Sequence, residues 1–309
     1  MRTTILGSAG SIGRLFARLL CDEGVSVIGV DQVVQAAGAG FTPILCNLEG
    51  VDENLRSFIF DAECIILCLP RATALLCLPL LQACLGRNTL LVDTLSVKSH
   101  VMSFSGSLDA SIEFLSINPL FAPDLGIKGQ NVAVVRRNTG PKTDWFIGLL
   151  ERWGGRVTYM TAVQHDRTGA QTQALTHAIL LCFGRALIEL KYELPDAKDM
   201  QTPLHRALLS LLARMVEANP DVYWEIQSAN SEARDIRSTI LASCRELESI
   251  SLSNDRQGFH RIFSAIRTVF GPDLTDFSLS AKRMLVATTI DPANPDCTVS
   301  LPTPSREQA

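Results

Sequence analysis

Residues 3–20, TTILGSAGSIGRLFARLL, place Gly7, Gly10 and Gly13 between a short β-rich run and an amphipathic helix. A strand that turns through glycines directly into a helix leaves backbone N–H groups at the helix start with no side chain in the way, which is the arrangement that receives a pyrophosphate. It also commits the chain to continue as β-α-β, because a parallel neighbour strand is reached only through a crossover. The next runs meet that demand: SVIGVD, DAECIILCLP, a helix from TALLCLPLLQACLG, then TLLVDTLS, EFLSIN and NVAVV. Near-continuous apolar strands separated by helices describe a sheet covered on both faces. The expected fold is α/β, a doubly wound Rossmann-type parallel sheet.

From about Thr161 the texture changes. TGAQTQALTHAILLCFGRALIEL, TPLHRALLSLLARMVEAN and the segments after them repeat apolar residues at helical spacing with no strand between. The expected organisation is a nucleotide-binding domain over 1–160, an all-helical substrate and dimerisation domain over 161–290, and a Pro-, Ser- and Thr-rich disordered tail over 291–309. The stretch from Ala178 to Leu187 is apolar almost all round, which predicts either a buried central helix or a helix shared across a homodimer interface.

Composition excludes some function classes. A net charge of -4 with Lys and Arg scattered gives no electrostatic footprint for nucleic acid. No run nears the length of a membrane span, and the start has no signal-peptide pattern, so a cytoplasmic protein acting on a small molecule is expected. The nine cysteines form no C-x-x-C pair, and Cys64, Cys68, Cys77 and Cys84 sit among Ile and Leu, where thiols behave as small hydrophobes. His100, His205 and His260 show no metal-ligand grouping, and no metal is expected.

The cofactor site is read around the first turn as Gly7, Ser8, Gly10, Ser11, Ile12 and Gly13. Ser8 stands where the strict G-x-G-x-x-G pattern starts. Asp31 ends the second strand eighteen residues beyond Gly13, placed to accept from a ribose 2′-hydroxyl and to repel a 2′-phosphate. NAD is therefore expected over NADP.

GSIGRLF, VDTLSVKS, NPLFAPD and AVQHDRTGAQTQALTHA, met in this order, resemble the prephenate dehydrogenase family from the first strand to about Leu285. In that family a cyclohexadienol loses a hydride to NAD while its ring carboxylate leaves as CO2. The resemblance implies that Arg206 and Arg214 face the substrate's carboxylates, Arg214 as the principal grip, since a guanidinium fork matches a carboxylate. It also implies substrate contacts from His177, Gln173 and Tyr223, a hydrogen bond from Ser96 to the group at the reacting carbon, and an electrostatic role for Lys98. Leu69 and Pro70 match the loop along the nicotinamide-ribose side. His165 and Asp166 match a pair at the domain junction and are read as structural, although Gln164 stands where the family usually has an acid.

One position departs from the family. Asn118 replaces the histidine that takes the substrate's hydroxyl proton. An amide cannot act as that base, and positioned base catalysis contributes roughly 10²–10⁴ in rate. An amine at the same carbon removes the need, because its lone pair expels hydride to form an iminium. The expected substrate is thus 4-amino-4-deoxyprephenate. Three other readings stay open: a prephenate or arogenate dehydrogenase using His177 or a water held by Ser96, a catalytically silent nucleotide-binding homologue, and a dehydrogenase for an unrelated 3-hydroxy acid.

Overall fold

A computed structural model describes residues 1–38, 40–48 and 53–289. The predicted disordered tail lies outside the described residues. Strands β1 (Arg2–Leu6), β2 (Ser26–Asp31), β3 (Phe41–Leu45), β4 (Cys64–Leu67), β5 (Leu90–Asp93), β6 (Glu113–Pro119), β7 (Asn131–Arg136) and β8 (Arg156–Tyr159) form one sheet in the order β3-β2-β1-β4-β5-β6-β7-β8. Helices α1 (Ser11–Asp22), α2 (Glu53–Phe60), α3 (Arg71–Cys84), α4 (Ser99–Ser105) and α5 (Pro141–Arg152) connect and cover it.

All pairings are parallel except β6 with β7. The expected doubly wound sheet is thus present and mostly parallel, with β6–β7 as its antiparallel pairing. The link from Pro119 to Asn131 holds only a 3₁₀ turn at Pro123–Leu125, too short for a helical crossover, so β7 returns antiparallel. Two strands escape the sequence reading. FTPIL and RVTY are outer strands with much exposed surface, so neither shows the apolar run of a central strand, and Pro43 is tolerated because β3 is an edge.

The centre of the sheet is apolar on both sides. Along each strand, residues divide alternately between two cores, as the period of two requires. Ile5, Ile66, Val92 and Leu115 face one core with Phe16, Leu20, Phe146 and Leu150, while Leu6, Leu67, Leu91 and Phe114 face the other with Leu78 and Leu81. Phe16 of α1 meets Phe146 of α5 and Trp153, with ring centroids 6.0 and 6.2 Å apart. This packing seats α1 over β1, and the chain's reversal of direction between β1 and β4 puts the glycine turn at the sheet's topological switch point.

The remaining helices are α6 (Ala162–Gly169), α7 (Leu175–Glu189), α8 (Leu194–Ala197), α9 (Pro203–Glu217), α10 (Pro220–Ala229), α11 (Ala233–Leu252), α12 (Arg256–Phe270) and α13 (Leu274–Thr289), with a π-helical turn at Ala170–Ala174 between α6 and α7. The chain divides into one unit of residues 1–174 with 221–234 and a second of 175–220 with residues from 235 onward. This division by contacts places α6, the π-helical turn and α10 with the sheet, on the other side of the expected 160/161 boundary. α6 is tied to the sheet unit through Asp166, and α10 through Gln227, whose Nε2 donates to the Ala174 carbonyl, and Glu225, which accepts from the Arg71 N–H.

In the helical unit α7 packs on α9, where Gly184 gives room to Leu212. His205 meets Phe183 edge-on and Tyr192 at a tilt, with Nε2 3.1 Å from the tyrosine hydroxyl. α7 is not the buried central helix that its composition allowed: Ile179, Leu181 and Ile188 are exposed, as are Leu211, Val216, Phe263 and Phe277 on neighbouring helices. Among the described residues no single helix is long and apolar enough to cross a membrane.

Candidate active site

The first turn is built by exclusion. Gly7 has φ +86°, and a β-carbon there would lie 2.3 Å from the Cys68 carbonyl oxygen, so a side chain is barred by both conformation and space. A β-carbon at Gly13 would lie 2.1 Å from the Gly7 carbonyl oxygen, which fixes the close approach of α1 to the turn. Gly10 caps α1 with no side-chain hydrogen bond, leaving the first-turn N–H groups of Ser11 and Ile12 facing outward along the helix axis. This is a cradle for a phosphate.

Ser8 resolves the irregular motif. It is fully buried and its Oγ accepts from Gln35 Nε2 at 2.8 Å, so the side chain turns into the protein and leaves the cradle clear. Its side chain therefore serves the turn, and any cofactor contact from Ser8 would come from its backbone. Gly29, which the sequence reading did not single out, makes this possible: a β-carbon there would meet Ser8 Oγ at 2.7 Å. Asp31 is also bound to the turn, accepting from the Ala9 N–H at 2.8 Å and the Val33 N–H at 3.1 Å. Leu69 leans on Gly7 and Pro70 starts α3. Glu225, another residue the sequence reading missed, closes that helix start by accepting from the Arg71 N–H at 2.7 Å, and burial pushes its carboxyl above the usual range.

At the end of β5 the structure departs from expectation. Lys98 does not offer its ammonium to a ligand. It is fully buried, with Nζ 3.1 Å from Asp93 Oδ1 and 2.7 Å from the Ile117 carbonyl oxygen. Burial lowers its pKa, and the Asp93 and Asp166 charges oppose that shift. The physical reason is local: Asp93 ends β5 inside the sheet, and its charge draws the only long cation of the loop inward. Ser96, two residues before, is half-buried in the same loop.

Asn118, near the end of β6, is 3% exposed. Its Nδ2 lies 3.1 Å from His165 Nε2 and 3.5 Å from Gln173 Oε1. His165 in turn places Nδ1 2.8 Å from Asp166 Oδ1. Asp166 also accepts from the Lys98 N–H, the Ser99 N–H and the Ser99 hydroxyl. Burial raises the Asp166 pKa, but these hydrogen bonds outweigh it and hold the carboxyl at about 2. The pair read as structural is therefore in contact with Asn118. The polar segment AVQHDR hides this, since a buried His-Asp pair is unexpected there, and Asn118 is 47 residues from His165 in sequence.

His177 stands in α7, partly buried, and desolvation pushes its pKa down, favouring the neutral imidazole. Arg206 and Arg214 share α9, eight residues and hence about 80° apart around the axis. Arg206 is half-buried and Arg214 exposed. Tyr223 lies in α10, partly buried. Among the described residues no cluster of His, Cys, Asp and Glu could hold a metal ion.

The profile of the prephenate dehydrogenase dimerization domain matches residues 161–265. A Streptomyces pristinaespiralis protein named 4-amino-4-deoxyprephenate dehydrogenase is 31% identical over 93% of this chain and 97% of its own length. A Methanocaldococcus jannaschii protein named probable arogenate/prephenate dehydrogenase is 23% identical over 87% of this chain and 61% of its own. The solved structure of prephenate dehydrogenase from A. aeolicus, in complex with hydroxyphenyl propionate and NAD+, matches with a TM-score of 0.67 at 17% identity, covering 87% of this chain and 96% of that one. At that identity the likeness is one of fold.

Proposed function

Because this chain belongs to the prephenate dehydrogenase family, we propose that it oxidises and decarboxylates 4-amino-4-deoxyprephenate to 4-aminophenylpyruvate with NAD. The observation that supports the substrate choice is the amide of Asn118, a group unable to hold a proton, with its hydrogens directed to His165 and Gln173; the family resemblance of NPLFAPD puts it where the family has a histidine. Its Oδ1 is the polar atom left to offer a ligand, and it suits an N–H.

The glycine turn fits NAD. Gly7, Gly10 and Gly13 clear space for the pyrophosphate, Ser11 and Ile12 offer N–H groups to it, and Asp31 retains lone pairs for a ribose hydroxyl beyond those given to Ala9 and Val33. Bound there, NAD supplies the hydride acceptor. Asp31→Asn keeps the shape and removes the charge. At an effective dielectric of about 20, unit charges about 4 Å apart interact by about 4 kcal/mol, so the ratio of NADP to NAD efficiency is expected to rise at least about tenfold. An unchanged ratio in steady-state kinetics would remove this role from Asp31.

The amine enters the reaction as neutral –NH2, its extra proton already lost to water. The hydrogen on the reacting carbon leaves with its electron pair, and the nitrogen lone pair closes a C=N⁺ bond. Electrons from the ring–carboxylate bond then enter the ring, releasing CO2 and returning the nitrogen to a neutral aromatic amine. No side chain needs to take a proton. With a hydroxyl the same step forms a protonated carbonyl, much less stable, and a general base normally relieves it. Asn118 and Ser96 are assigned to orient the amine, and Arg214, Arg206, His177, Gln173 and Tyr223 to hold the rest of the substrate. The half-buried Arg206 and exposed Arg214 suit a carboxylate, which both can bind through two parallel hydrogen bonds.

The apolar residues exposed on α7, α9, α12 and α13 support a homodimer formed through the helical unit. The decisive assay supplies purified protein and NAD with prephenate, arogenate and the 4-amino analogue in turn and follows NADH. Efficient turnover is expected for the 4-amino compound alone. Rapid prephenate turnover with little from the amine would overturn the substrate, and no NADH from any of the three with NAD still bound would overturn the activity.

A further inference from the structure

The His165–Asp166 pair touches no position at which the reaction above needs a base, and His165 is only 2% exposed. Its hydrogen bonds nevertheless have a fixed direction. An ionised Asp166 can only accept, so the His165 proton belongs on Nδ1, 2.8 Å from Asp166 Oδ1. With the ring's single proton on Nδ1, Nε2 is left with a lone pair, and that atom lies 3.1 Å from Asn118 Nδ2. The second amide hydrogen points to Gln173 Oε1 at 3.5 Å. If the Asn118 amide turned over, Oδ1 would face the His165 lone pair and that bond would be lost, whereas Gln173 could turn its own amide to follow. The Asp166 end of the chain is held just as firmly, by the Lys98 and Ser99 N–H groups, the Ser99 hydroxyl, and Asn230 Nδ2 on the Asp166 carbonyl.

We propose that His165, held in one tautomer by Asp166, is a positioning residue that fixes the Asn118 amide with Oδ1 toward the reacting amine. This rests on the amine reading of the site. As hydride leaves, the substrate N–H becomes part of a cation, and its bond to Oδ1 strengthens to a charge-assisted one. The reversed amide would aim its own N–H groups at that growing positive charge. The pair therefore acts on the barrier more than on binding, and a site built this way accepts a ligand donor and disfavours a ligand acceptor at the reacting carbon.

His165→Phe keeps a ring and removes the acceptor. With the 4-amino substrate, kcat is expected to fall roughly 10- to 100-fold, below or near the 10²–10³ lost when an oxyanion contact is deleted outright, with KM changed by less than about threefold. His165→Gln, which can place an oxygen near the Nε2 position, is expected to recover most of that loss. A KM effect in place of a kcat effect, or no rescue by glutamine, would overturn the proposal. The measurement that needs neither a folded phenylalanine variant nor a substrate is ¹⁵N NMR of histidine-labelled wild-type protein, with the His165 signals assigned by their disappearance in His165→Gln. A bare Nε2 and a protonated Nδ1 are expected, and a proton on Nε2 would overturn the tautomer lock. If the substrate panel favours prephenate while the tautomer is as stated, the amine reading fails and the orientation of Asn118 stands. If the panel favours the amine and the proton sits on Nε2, the reverse holds.

Discussion

Asn118→His is expected to raise prephenate turnover about 10²- to 10⁴-fold over the wild-type protein, the range that a positioned general base contributes. The neighbourhood suits the exchange. The introduced imidazole would meet the same His165 Nε2 that now lies 3.1 Å from Asn118 Nδ2. By donating one ring N–H to that lone pair, it would present its other nitrogen, unprotonated, to the hydroxyl. The barrier for the hydroxyl substrate would fall by about 3–5 kcal/mol. For the amine the effect should run the other way, because an imidazole that becomes protonated sets a positive charge against a nitrogen that is itself becoming cationic. Parallel NADH assays of both substrates, with circular dichroism to verify folding, test this. A folded variant with no gain on prephenate would show that Asn118 is not at the reacting carbon.

How much of this was readable in the chain differs with the distance over which each feature is determined. The glycine turn, the buried strands CIIL and LLVD, and the switch to helices are local patterns, and each is found where its period indicated. Asp31 was legible because a residue at the end of β2 returns to the turn after β1 by topology. Gly29 was not, because its role depends on Phe41 and Ser8 meeting above it. The His165–Asp166 pair was seen, but its contact with Asn118 was not, because no helical or strand spacing records it. The change from strands to helices at Thr161 is where the matched family domain starts, but the attachment of α6 and α10 to the sheet unit was not readable, because Asp166, Gln227 and Glu225 make it through hydrogen bonds of long sequence separation.

Lys98 shows the same limit most sharply, and it carries the largest stability effect expected here. A lysine at the carboxyl edge of a sheet suggests a ligand contact, yet its side chain runs inward to a carboxylate and a carbonyl. Among the described residues Asp93 Oδ2 has no hydrogen-bond partner, so its negative charge depends on this one cation. Lys98→Met would leave that charge buried and uncompensated, a loss of about 3–5 kcal/mol, and on the order of 10 °C in melting temperature for a unit of this size. It would also strip the donor from the Ile117 carbonyl, immediately before Asn118, so the surviving folded enzyme should lose kcat as well. Adding Asp93→Asn removes the orphaned charge while keeping an acceptor for the Leu95 N–H, which it now receives at 3.0 Å. The double variant should therefore regain more than half of the lost stability, because the cost arises from the unpaired ion rather than from the missing pair. Urea denaturation of the wild-type, single and double variants decides between the two roles: a Lys98→Met protein as stable as wild type but with a raised KM would return the lysine to the substrate and remove it from the core.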